Sequence, residues 1–168
     1  SRGLGDVYKR QSIDSADGNV TIEATEDTDD PLAVWRARDA IIAVARGFSP
    51  KKAFRLLDEE EAIEVIDLTD FVGRSENALK RIRGRLIGMN GKARRIMEEL
   101  TGVNMSVYGR TVSIIGEFDQ LKVANEAIMM LIKGAQHRTV YRFLHRKGKE
   151  LKEARLGLWK PIVEEKGG

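Results

Sequence analysis

The chain has no cysteine, which removes disulfides and thiolate metal sites together. Its two histidines, His137 and His145, lie in a basic segment without a carboxylate cluster, so no metal site is expected. No apolar run approaches the about 18 residues that a membrane-spanning helix requires, so no membrane partner is expected. A Walker loop is missing too. Lys92 follows Gly91, but Ala93 stands where a magnesium-binding hydroxyl is needed, and Leu86 stands where the first glycine should be. No nucleophile–base pair stands out either, so catalysis is not expected.

What the chain does have is enough apolar character, 42% of 168 residues, to build one large domain or two small ones. Its net charge of +3 conceals a polarity. Residues 12–70 hold 6 Lys/Arg against 15 Asp/Glu, whereas residues 71–168 hold 20 against 10. Within 74–111 the count is 9 basic to 3 acidic. A concentration of that sign points to a polyanionic partner.

The basic stretch surrounds the sequence GRLIGMNGKARRIMEELTG, residues 84–102. A helical run reaches Ile87, breaks at Gly88-Met89-Asn90-Gly91, and resumes as an amphipathic helix with Ala93, Ile96, Met97 and Leu100 on one side. Glycines at both ends of the break let another backbone come close. The new helix N-terminus offers N–H groups and the positive end of its dipole, an arrangement suited to phosphate. A GxxG step between two helices is the signature of the KH domain, whose loop clamps about four nucleotides.

The flanking pattern agrees. Ala62–Leu68 reads as a strand with Ile63, Val65 and Ile66 as core candidates, and Ser75 as the cap of a helix carrying Ala78, Ile82 and Leu86. Val103, Met105 and Val107 alternate as a strand, Tyr108-Gly109-Arg110 turns, and Thr111–Ile115 returns. A helix bearing Leu121, Ala124, Ile128 and Leu131 ends at Gly134. The expected fold is α+β, a type I KH domain over residues 62–134 with a three-stranded sheet backed by three helices.

Upstream, a strand is expected at 19–24, then a helix capped by Asp30-Pro31 with Trp35, Ile41 and Val44 on its apolar side. Ser49-Pro50 opens another helix with Phe54 and Leu57 on one face. VWRARDAIIAVARG (34–47) aligns without gaps on LKVANEAIMMLIKG (121–134), with four identities in fourteen positions. The matched strand-then-helix context indicates a tandem KH duplication whose first copy is incomplete. Residues 12–61 are then its C-terminal remnant plus a linker helix, with a poorly partnered strand at 19–24. Residues 1–11 resemble a translated adaptor remnant, and 135–168 form a basic helix and tail. That helix, with Val140, Phe143, Leu144 and Leu151, either packs on the core or docks RNA or protein.

In such a domain Gly88 and Gly91 permit close approach, and the N–H groups from Asn90 to Lys92 meet phosphate, with Met89 and Asn90 between the glycines. Arg85, Lys92, Arg94 and Arg95 add charge. Ile87, Ile96 and Val107 serve either as core or as the groove floor, and Arg110 either as a turn residue or as a grip on the RNA. Many KH loops carry a basic residue between the glycines, whereas here the charge is displaced to Lys92 and beyond.

The stretches RIRGRLIGMNGKARRIMEELTG, NMSVYGRTVSIIG and HRTVYRFLHRKGKELKEA resemble the archaeal Dim2/Pno1 group, Krr1-related ribosome assembly factors with two KH domains. The resemblance implies a cytoplasmic, cofactor-free protein that binds the 3′ end of small-subunit ribosomal RNA during maturation. It further implies contacts with the alpha subunit of translation initiation factor two and with the 3′-end maturation endonuclease. A Krr1-type or exosome-associated RNA-binding factor, and a protein–protein adaptor working through the acidic first half, are the alternatives.

Overall fold

The computed structural model describes residues 12–14, 19–21 and 31–157. Two short strands, β1 (Ser12–Asp14) and β2 (Asn19–Thr21), pair antiparallel, so β2 has β1 as its partner among the described residues. Then follow α1 (Ala33–Ala45), α2 (Pro50–Ala53) and a 3₁₀ turn over Phe54–Leu57. From β3 (Glu61–Asp67) the chain runs through α3 (Thr69–Val72) and α4 (Glu76–Ile87) to the loop, and on into α5 (Lys92–Thr101). Strands β4 (Asn104–Tyr108) and β5 (Thr111–Glu117) and helices α6 (Phe118–Ile132) and α7 (His137–Gly157) complete the chain.

Strand β5 lies between β3 and β4, both antiparallel to it. Its residues are buried from Thr111 to Gly116, because both faces of the sheet are covered. Alternation divides them. Val112 and Ile114, with Met105 and Ile66, face a core built from Leu79, Leu86, Met97 and Ile128 on the three backing helices. Ile115 faces the opposite way, into a second cluster with Ala40, Ala43, Phe48, Ala53 and Leu56. The first part of the chain therefore roofs the sheet of the second.

That roof departs from expectation. Helix α1 buries Ala33, Ala37, Ala40 and Ala43, while Trp35 is 59% exposed under the Arg38 guanidinium. Small side chains let the helix axis lie close to the sheet, which the larger apolar residues would prevent. The helix is flanked by Leu32 without a side-chain cap; the expected cap at Asp30 and strand residues 22–24 lie outside the described residues. Ser49 does accept from the Lys52 N–H, but Phe54 is exposed and Leu56 is buried in its place. The 3₁₀ turn rotates the chain by three residues per turn, which shifts the apolar face. In β3, Ile66 enters the main core and Ile63 packs beside the second cluster. Val65, on the same face of β3 as Ile63, stays 42% exposed.

Polar contacts fasten the roof. Ser106 Oγ donates to the Arg46 carbonyl at 2.7 Å. Arg55 donates to the Gly102 carbonyl and to Asn104 Oδ1, at 3.0 and 2.9 Å, and pairs with Glu61.

Candidate nucleic-acid interface

Ser75 starts α4 by accepting from the Ala78 N–H, and Leu79, Ile82 and Leu86 fix its buried face. That packing delivers the loop to a set place. Gly88 ends the helix at φ 75°, ψ 174°. A Cβ there would lie 2.7 Å from both the N and the Cβ of Ala93, so the position excludes side chains by conformation and by contact. Met89–Gly91 form one 3₁₀ turn. Asn90, at φ 54°, is the one non-glycine residue with positive φ among the described residues, a conformation asparagine tolerates. Gly91 also has φ 75°, but a Cβ there would meet nothing within 4 Å. The two glycines thus have different tasks: Gly88 closes the helix junction, and Gly91 keeps the outer surface bare.

Met89 is 84% exposed, and Asn90 and Lys92 are exposed beside it. The Gly91 N–H donates to the Gly88 carbonyl at 3.2 Å and that of Lys92 to the Met89 carbonyl. Two of the amides expected to face phosphate are thereby used within the turn. Helices α4 and α5 both touch β4, an edge strand of the sheet. Ile87, Ile96 and Val107 are half-buried, as residues between core and groove floor should be.

The basic residues separate into those turned outward and those tied inward. Lys92 and Arg95 are exposed, and Arg94 is half-buried with Glu98 3.9 Å away. Arg110 sits in the β4–β5 turn, exposed, 3.5 Å from Asp67. Hydrogen bonds from the Thr69 hydroxyl and N–H hold the Asp67 carboxyl below its ordinary range, helped by the charges of Arg110 and Arg74. Arg85, expected among the RNA contacts, has another task. Its guanidinium donates to the carbonyls of Leu131 and Ala135, stitching α4 to the end of α6. Helix geometry explains the difference, since Arg85 precedes the buried Leu86 and faces α6 rather than the groove.

Two participants were not singled out from sequence. Arg83 donates to the Gly109 carbonyl at 2.8 Å and anchors the β4–β5 turn to α4. Tyr141 of α7 lies beneath Lys92, whose Nζ is 5.9 Å from the ring centroid. Burial raises the Tyr141 hydroxyl above its usual range, so it stays protonated. Nothing local signalled either, since each contact joins residues far apart in the chain.

Helix, GxxG turn, helix and an antiparallel sheet of order β3-β5-β4 define a type I KH module, a class that binds RNA. Comparison with known proteins carries this further. Residues 62–149 match the family of the second KH domain of Pno1, described as a eukaryotic-type (type I) KH domain, and residues 4–59 match the Krr1 KH1 domain.

A KH domain-containing protein of Methanocaldococcus jannaschii is 50% identical over 145 residues, covering 86% of this chain and 63% of that protein. The structure of Dim2p from Pyrococcus horikoshii is similar with a TM-score of 0.76 at 49% identity, over 85% of this chain and 84% of that one. A chain in the a/eIF2alpha–aDim2p–rRNA complex of the same organism gives a TM-score of 0.77 at 49% identity, over 88% and 81%. The chain belongs to the archaeal Dim2/Pno1 family of two-KH-domain proteins.

Proposed function

We propose that the groove beside the GxxG turn holds single-stranded RNA at the 3′ end of the small-subunit ribosomal RNA during its maturation. The observation that carries this reading is the bare, left-handed Gly91 surface next to exposed Met89, Asn90 and Lys92, inside a strongly basic stretch. The similarity to a protein solved together with ribosomal RNA supports it. Gly88 sets the turn, and Met89, Asn90 and Gly91 present it. Lys92, Arg94, Arg95 and Arg110 supply charge, and Ile87 with the floor residues excludes water from the bases.

The role is that of a holder of RNA rather than a catalyst, and it is exercised in the cytoplasm. Residues 12–61 act as the remnant of a first KH domain plus a linker helix, 62–134 as the RNA-binding domain, and 135–168 as a basic extension. The alpha subunit of initiation factor two is the protein partner favoured by the same complex, and the maturation endonuclease is a second.

Fluorescence anisotropy with a labelled oligonucleotide copying an archaeal small-subunit rRNA 3′ end, against a scrambled control, tests the proposal. Tighter binding of the rRNA sequence by tenfold or about 1.4 kcal/mol is expected. Equal affinity for both sequences would leave a general RNA binder and reject the rRNA assignment.

A further inference from the structure

Helix α7 is more than a brace for the core. It buries Val140, Leu144 and Gly148 against α5 and α6. On the opposite side Arg138, Arg142, His145 and Lys149 recur at steps of four, three and four, all exposed. From Ala127 to Lys149 the chain carries six Lys/Arg and no Asp/Glu. Lys149 is offset by Glu153 at 3.9 Å. No acidic group among the described residues pairs with Arg138 or Arg142.

A solvated basic helix face would be unremarkable if it lay anywhere on the surface. Here its first turns are fixed beside the GxxG turn by three separate contacts. His137 Nε2 meets the Arg85 carbonyl at 2.8 Å. Arg85 itself bonds the carbonyls of Leu131 and Ala135, just ahead of α7. Lys92, the first residue of α5, lies over Tyr141. Further along, Gly148 packs on the backbone of Leu100, so α5 and α7 run side by side in the same direction. A positive track therefore leaves the turn at Lys92, passes Tyr141, and continues along α7. From Arg138 to Lys149 it is about 16 Å long.

We infer that α7 is a second RNA-binding segment, whose Arg138 and Arg142 take phosphates of the strand after it leaves the GxxG groove. This rests on the groove reading above. Arginine suits the task because its donors match phosphate geometry, and the half-buried Tyr141 offers an aromatic edge on the way. An acidic protein surface is the other class of partner such a face could take. RNA is favoured because the track is continuous with the turn.

Two oligonucleotides separate the cases: one of about six nucleotides, enough to fill a KH clamp, and one of about twelve. Each is titrated at several salt concentrations against the full chain and its Arg138→Gln/Arg142→Gln variant, with circular dichroism confirming that the variant is folded. If α7 takes two phosphates, the log–log salt slope for the longer RNA falls by about 1.4 in the variant. The shorter RNA binds both proteins alike. An unchanged slope for the longer RNA, with the shorter one still bound, overturns the inference and leaves the groove reading standing. Failure of the parent chain to bind even the shorter RNA removes both.

Discussion

The two glycines of the turn look equivalent in sequence, yet they should respond differently to the same change. At Gly88 an added methyl meets Ala93 and must also adopt positive φ, so Gly88→Ala should cost roughly 2–4 kcal/mol of stability. At Gly91 the methyl points into open space, so Gly91→Ala should carry only the left-handed penalty, about 1–2 kcal/mol. Urea denaturation of the two variants checks the order, and equal losses would mean that the helix junction tolerates a Cβ. The GxxG spacing made both glycines legible, and Asn90 is intelligible afterwards as a residue at ease with positive φ. The fate of Arg85 was not legible. A basic residue beside a glycine loop reads as a ligand contact, whereas its partners are carbonyls 46 and 50 residues away. No local pattern encodes a bond over that separation.

Elements were read correctly where periodicity and caps coincide. Ser75, Gly102 and the alternation in β4 set their elements within a residue or two of expectation. The departures fall in α1, the 3₁₀ turn and Val65 of β3, where hydrophobicity is a poor guide to the buried face. In α1 the sheet selects for smallness, and alanine occupies the contact. Close approach also inverts an ordinary helix rule. Alanine is normally about 1 kcal/mol better than glycine inside a helix. At Gly84, where a Cβ would meet nothing, Gly84→Ala should therefore stabilise the protein by about 0.5–1 kcal/mol. At Gly148 the same change presses on the Leu100 carbonyl, and Gly148→Ala should lower the melting temperature. Thermal unfolding of the two variants tests the pair. A rise at both sites would show that α5 and α7 do not pack this closely.

On the scale of the whole molecule, charge polarity follows the sequence halves but not the layers of the fold. The roof, residues 33–57, holds all six Lys/Arg of the first part against Asp39 alone, so the acidic excess of that part lies outside the roof, whereas the basic second part carries the turn and α7. Composition alone made the polarity visible, but the roof could not be read from it. Covering a sheet face depends on which residues of α1 meet Ile115, a contact across more than seventy residues of sequence. The roof leaves the groove side free, since α4, the GxxG turn and α5 lie on the other face of the sheet. RNA binding should consequently depend on the turn and survive changes on the outer side of α1.

The most direct measurement is RNA affinity after placing negative charge on the turn without touching the core. Met89 and Asn90 are exposed, and aspartate tolerates the left-handed conformation of Asn90. A Met89→Asp/Asn90→Asp variant, folded by circular dichroism, should bind the rRNA 3′-end oligonucleotide at least tenfold more weakly than the parent, about 1.4 kcal/mol. Undiminished affinity in that folded variant would contradict the central claim that the GxxG turn is where this protein holds RNA.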